Sequence, residues 1–402
     1  MPWKVSQVVE ERMKLIVRLS EGEKMTDLCR EFGISRKTGY KILERYQKVG
    51  IVALEDQCRR PHRNANLMSQ EMSALLLSLK KSKPTWGAPK LRELFARKHP
   101  HSKVPAISTI HALLDRNGLV THRGRSSSAD YKARGTPLSS PKEPNDLWCT
   151  DYKGQFRLGN KALCYPLTIS DHTSRKLFAV DGMEKIDWLA AKKVFQQVFL
   201  EHGLPLGLRS DNGPPFASRG LFGLTQLSAW WLKLGIKLER IKPGCPQQNG
   251  RHERMHRTLK LDCTHPAGAN FLVQQEKFDS FVEEYNSERP HEGLNMKTPD
   301  QVHRKSDRQY SLQETEIDYG SGFLEAKVSD SGDIKFKRSR VFISAALGGQ
   351  VVGVRQVDEL VYEVRFADYQ FGFFDNLSQK FTPGENPFTL SISQKMTAST
   401  PT

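Results

Sequence analysis

Leu147-Trp148-Cys149-Thr150-Asp151-Tyr152-Lys153-Gly154-Gln155-Phe156 is the stretch that decides the fold. Read as a strand, it sets Leu147, Cys149 and Asp151 on one side, because successive side chains alternate across a pleated backbone. A carboxylate that shares a side with buried apolar groups is costly unless something neutralises it. A bound cation would do so. The runs ALCYPLTIS and KLFAV come next and read as antiparallel strands. IDWLAAKKVFQQVFLEHG then reads as a helix stopped at Gly203. LGLRSDNG is next, a short buried strand that delivers Asp211 to its carboxyl end with Asn212-Gly213 as the turn. Carboxyl ends of strands before tight loops are where α/β sheets place their chemistry.

A third acid lies in GCPQQNGRHERMHRTLKLD. Gly244, Pro246 and Gly250 lead into a helix on which Glu253, Arg257 and Lys260 fall at i, i+4 and i+7 and so share a face, with Met255 and Leu259 left for packing. One acid followed by two bases suits a metal ligand beside bound phosphates. Asp262, turned away from that face, and Glu239, in a strand-like run, are weaker rivals for the third place. His252, His256 and His291 read first as packing or solvated histidines. Asp171, in ISDHTSR, reads as a structural cap, and at least one of Trp230 and Trp231 as core.

Upstream, the charge is lopsided. Residues 1–145 hold 28 Lys+Arg against 14 Asp+Glu, whereas the remaining 257 residues hold 33 against 31. A basic front on a near-neutral body points to nucleic acid. Residues 5–50 read as three helices, with Val9, Met13, Ile16 and Val17 along the first. Gly33 supplies a turn and Ser35 caps SRKTGYKILERYQK. In this helix-turn-helix pattern Arg36, Lys37, Thr38 and Lys41 lead into the major groove, while Tyr40, Ile42 and Leu43 largely pack. A second such unit is expected within 67–120, winged, with Ser108 as the cap of ISTIHALLDRNGLV and Gly118 as its stop. Residues 55–66 and 121–145 are basic, breaker-rich linkers that add Arg59, Arg60, Arg123 and Arg125 as DNA contacts. Short β-like runs over 318–385 predict a small β-barrel, and 386–402 a disordered tail.

Exclusions sharpen the picture. The six cysteines form no CxxC pair, which argues against a zinc ribbon or disulfide frame and for a reducing compartment. His99 and His101 lack partner cysteines. No GxxxxGKS loop suggests nucleotide hydrolysis. No run of 18 apolar residues occurs, so a cytoplasmic, nucleoid-associated protein is expected.

The combination of WCTDYKG, SDNGPPF and PQQNGRHERMHRTLK, closed by YNSERPHEGLNMKTPDQV, resembles the DDE core of retroviral integrases and bacterial insertion-sequence transposases over residues 146–305. The spacing from Asp211 to Glu253 is somewhat longer than the family's usual one, and ASRGLFGLTQLSAWW is the stretch that would absorb the excess. The resemblance implies an α/β ribonuclease-H-like catalytic core between tandem all-α helix-turn-helix units and the C-terminal β-barrel. It implies that Asp151, Asp211 and Glu253 hold two Mg²⁺ ions, with Mn²⁺ able to substitute, and that Arg251, Arg257 and Lys260 meet DNA. The partners it implies are double-stranded DNA (terminal inverted repeats and target) and a second copy of the chain in a homodimer or higher assembly. The rival reading is a domesticated or regulatory DNA-binding protein with an inactive core.

Overall fold

The computed structural model describes residues 8–56, 68–121, 138–242, 246–313 and 316–388. The chain divides into two compact units, residues 1–69 and 70–402.

The first unit holds α1 (Val8–Ser20), α2 (Met25–Glu31) and α3 (Arg36–Val49). Ser35 caps α3 by accepting from the Thr38 backbone N–H at 3.2 Å, and Gly33 turns the chain with φ +63°. Leu15, Ile16, Leu28, Ile42 and Leu54 make the core. Gly39 lets α3 cross close to α2, since a Cβ there would meet Cys29 Sγ and Met25 Sδ at 2.7 Å. Two expectations fail here. Val17 is 44% and Tyr40 58% exposed, because the buried stripe of α1 runs through Leu15 and Ile16, and Tyr40 sits among the outward basic residues of α3.

The second unit opens with α4 (Gln70–Ser82), α5 (Ala88–Lys98) and α6 (Ile107–Arg116), packed through Leu76, Leu91, Leu94, Phe95, Ile110 and Leu114. Ser108 does not cap α6. The helix is capped two residues earlier, at Ala106, so Ser108 lies exposed within the first turn. No wing strand is found among the described residues of this region. Nor do these helices stand apart from the remainder of their unit. Lys83 pairs with Glu284 at 2.9 Å and Glu288 at 2.8 Å, Arg97 donates to the Met296 carbonyl at 2.6 Å, and the Arg289 guanidinium lies 5.7 Å from the Trp86 ring centre.

The core is a mixed sheet of β1 (Leu147–Tyr152), β2 (Phe156–Arg157), β3 (Leu163–Asp171), β4 (Leu177–Met183), β5 (Gly207–Ser210) and β6 (Lys237–Arg240). Its order is β4–β3–β1–β5–β6, with the short β2 also on β3. β4, β3 and β1 run antiparallel, whereas β1, β5 and β6 run parallel. Between β4 and β5 comes α7 (Trp188–His202), capped by Asp187 and ended at Gly203 as expected. α8 (Gln226–Lys233) fills the longer spacing before β6, and α9 (Gly250–Cys263) and α10 (Phe271–Glu283) come after it. Ala191, Phe195, Phe199 and Trp231 pack with Trp148, Leu167 and Leu208. Met255, Leu259 and Phe278 pack with Cys164, Leu177 and Val180 in a separate cluster. This is the ribonuclease-H-like arrangement. It begins earlier than the expected linker end at 145, since Ser139 and Asn145 are already bonded to the core.

The C-terminal region holds β7 (Leu324–Lys327), β8 (Asp333–Phe336), β9 (Ser339–Phe342), β10 (Val351–Gln356), β11 (Val361–Phe366), β12 (Tyr369–Asp375) and β13 (Lys380–Pro383). The expected barrel is not closed. Five strands form an open antiparallel sheet, β13–β12–β11–β10–β7, while β8 and β9 form a hairpin of their own. The expected tail lies mostly outside the described residues.

Candidate active site and nucleic-acid-binding surfaces

Strand register brings the two aspartates to one edge. β1 and β5 run parallel with Cys149 opposite Arg209. Asp151 is two residues past the first and Asp211 two past the second, so both acids leave neighbouring strands at the same carboxyl end, about 4.8 Å apart in strand spacing. The Asp211 carboxylate is turned by its own loop, accepting the Gly213 N–H at 3.1 Å.

Glu253 comes from the first turn of α9 and is exposed. Two buried histidines of that helix hold it to the sheet. The Nε2 atoms of His252 and His256 each lie 2.7 Å from Thr168 Oγ1 on β3, and Ser170 Oγ lies 2.9 Å from His252 Nδ1. His256 Nδ1 stands 3.7 Å from Asp151 Oδ2.

Electrostatics mark the same spot. Asp151 is pushed from an ordinary 3.8 up to about 7, first by burial and then by the charge of Asp211, with Glu253 adding to it; the Tyr152 N–H and Lys153 oppose the shift. Burial also raises Asp211, against the Gly213 N–H. The histidines supply no compensating charge, since burial lowers His252 to about 3 and His256 to about 2. Both other acids act to raise Asp151, and among the described residues none of the three has a Lys or Arg in salt-bridge contact; carboxylates so placed are hard oxygen donors of the kind a divalent cation takes. Among the described residues, no three His, Cys, Asp or Glu side chains already stand within metal-holding reach of one another. The acids are near enough to feel each other but are not drawn in.

The rival acids are occupied. Glu239 is buried against Arg209, Oε1 to Nε 2.5 Å, and accepts the Ser139 N–H. Asp262 pairs with Arg289 at 3.7 Å and is bonded to Thr85. Asp171 accepts from the Asn145 N–H, the Ser174 N–H and Ser174 Oγ at 2.6–2.8 Å.

On α9, Arg257 and Lys260 are exposed as Glu253 is, with Met255 and Leu259 buried. Arg251 donates to the His172 carbonyl at 3.0 Å. On α3, Arg36, Lys37, Thr38 and Lys41 are exposed, and Thr38 also shares a hydrogen bond with Ser35. Arg59, Arg60, Arg123 and Arg125 lie outside the described residues. Sequence reading missed the Thr168 and Ser170 hydroxyls entirely. The only signal was the i, i+4 spacing of His252 and His256 around Glu253. No helix among the described residues is long and apolar enough to cross a membrane.

Comparison with known proteins agrees with this layout. Residues 141–246 and 234–299 match models of an integrase core domain. Residues 11–62 match a helix-turn-helix domain and 38–114 a homeodomain-like domain. An uncharacterized 31.7 kDa protein of insertion element IS407 in Burkholderia multivorans is 24% identical over 59% of this chain and 82% of its own length. An uncharacterized 39.2 kDa protein of IS476 in Xanthomonas euvesicatoria is 26% identical over 58% of this chain, and the match spans 64% of that relative. The solved catalytic core domain of HTLV-2 integrase, in complex with magnesium, is 20% identical over 40% of this chain and 98% of its own, with a TM-score of 0.30. At that score the fold rests on the strand order described above. Residues 141–299 thus carry an integrase core domain behind helix-turn-helix domains, and the chain is similar to insertion-element proteins.

Proposed function

We propose that this protein binds the ends of its own insertion sequence and cuts and rejoins DNA strands there by metal-dependent phosphoryl transfer. The observation that carries the reading is the matched register of Asp151 and Asp211 at adjacent parallel strand ends, with Glu253 near enough to raise Asp151. Asp151, Asp211 and Glu253 would hold Mg²⁺, as two ions, with Mn²⁺ able to substitute. When bound, the metal supplies an activated water or 3′-hydroxyl and stabilises the leaving oxygen.

The rest falls to the chain. Burial and the neighbouring acids hold the Asp151 carboxyl towards its neutral form, and a bound cation would favour its charged form. Arg257 and Lys260, on the outward face of α9 with Glu253, would hold backbone phosphates on either side of the scissile bond. Arg251 would do the same from the start of the helix. Ser35 presents the N-terminal end of α3, and Arg36, Lys37, Thr38 and Lys41 would meet the major groove. The linker residues Arg59, Arg60, Arg123 and Arg125 and the exposed Ser108 would extend that contact along an asymmetric site. Cleavage and strand transfer then use one geometry with no protein–DNA covalent intermediate. Joining two element ends calls for at least a homodimer on DNA, and a substrate in the chromosome puts the protein in the cytoplasm at the nucleoid.

The test is direct. Purified protein with Mg²⁺ and duplex carrying its terminal repeats should be nicked at the element end, and Asp151→Asn should bind without nicking. Binding without nicking by the native protein, indifferent to metal, would instead support the regulatory DNA-binding reading.

A further inference from the structure

We propose that the Thr168 hydroxyl is the joint that sets the Glu253 helix in register with the Asp151 strand, which makes Thr168, His252 and His256 positioning residues. The inference rests on the transposase reading only for what the register is used for.

Proton counting fixes how the joint is wired. In the β1–β3 ladder Thr168 lies opposite Asp151. Its Oγ1 lies 2.9 Å from the Asp151 backbone carbonyl, which can only accept, so the single hydroxyl proton goes there. Two lone pairs remain. His252 Nε2 and His256 Nε2 both approach that oxygen at 2.7 Å, and with its proton spent each ring must be the donor. Both histidines therefore carry a proton on Nε2. Ser170 Oγ lies 2.9 Å from the other ring nitrogen of His252, Nδ1. Nδ1 of His256 faces Asp151 Oδ2 at 3.7 Å.

All the side chains at this joint are buried: Thr168 is fully so, His252 is 2% and His256 7% exposed. Water does not compete for these bonds, and none can be lost without leaving a buried polar group unpaired. The two rings stand edge to face, 4.6 Å apart, one turn from each other on α9. Glu253 sits between them in sequence on the outward side. One hydroxyl thus grips the backbone of the first acid and, through both rings, the helix of the third. Polar partners behind the acids fix where the acids stand, as in other metal sites.

Selective ¹⁵N-histidine NMR on the native chain tests the tautomers without any variant. Both rings should show a protonated Nε2. A bare Nε2 on either would overturn the assignment. In parallel, Thr168→Val keeps the shape and removes the hydroxyl. Strand cleavage should fall roughly 10–100-fold with DNA affinity unchanged, and Thr168→Ser should restore most of the rate. A folded Thr168→Val protein that cleaves at the native rate contradicts the joint. If the native protein itself does not cleave, the transposase reading fails, and the NMR pattern still decides the joint. Should Thr168→Val not fold, Thr168→Ser and the native spectrum decide it.

Discussion

The two larger sheets of the second unit bury acids, and they treat them in opposite ways. In the C-terminal sheet Glu363, 3% exposed, sits between Arg355 at 2.5 Å and Arg365 at 3.3 Å. At the carboxyl end of β1 and β5 in the core sheet, Asp151 feels the charges of Asp211 and Glu253, and its ion-pair-range neighbour among the described residues is a histidine that burial keeps neutral. Even within the core sheet the contrast holds, since Glu239 has Arg209 and Asp171 has three donors. Glu363, Glu239 and Asp171 thus have donors, whereas Asp151 faces other acids, which is the pattern expected of a ligand-binding cluster.

The largest expected break in this contrast is Asp151→Asn. Metal-dependent cleavage should fall on the order of 10³-fold or more, read as single-turnover nicking. The same change should stabilise the free protein at alkaline pH. Because the folded state raises Asp151 from 3.8 to about 7, it keeps a proton that the unfolded chain releases. The favourable contribution is complete below the unfolded value, declines as pH rises, and is gone above about 7. Urea melts should therefore show Asp151→Asn ahead of the native protein by up to a few kcal/mol above pH 7, equal to it below about pH 4, and the gap closed by added Mg²⁺.

Acids with partners should behave in the reverse manner. Glu239→Gln strands the buried Arg209 guanidinium and should cost about 3–5 kcal/mol by denaturant melt at any pH near neutral. Glu363→Gln should cost less, since the Arg355 and Arg365 side chains remain 45% and 37% exposed to solvent.

Smaller effects belong to the N-terminal unit. Lys37→Ala or Arg36→Ala should lower the salt dependence of DNA binding by about 0.9 in the log–log slope per lost phosphate contact, with Mn²⁺ uptake untouched. A variant that lost the metal would contradict the division of labour. Ser35→Ala should cost about 1 kcal/mol of helix stability, seen in the melting of the N-terminal unit.

What could be read from the residues depends on the range of the interaction. Asp151 and Asp211 were legible because strand alternation and the Asp-Asn-Gly turn are local, and the helix face of Glu253, Arg257 and Lys260 is a matter of spacing. Ser35 was legible for the same reason, and Ser108 was not, because a two-residue shift of the helix start moves a cap into the first turn. Thr168 was invisible, since its three partners lie 17, 84 and 88 residues away. Tyr40 faced the wrong way in the reading because an aromatic side chain on an amphipathic helix was given to the core. The C-terminal strands were each legible, but whether they close a barrel depends on edge pairings that no local pattern encodes.

The central claim is that three acids, distant in the chain, act as one cation site. Calorimetric titration of Mn²⁺ into the native protein and into Asp151→Asn, Asp211→Asn and Glu253→Gln at alkaline pH tests it most directly. Uptake by the native protein and its loss in all three variants is the predicted result. Native-like uptake by any one of them would show that its acid is no part of the site.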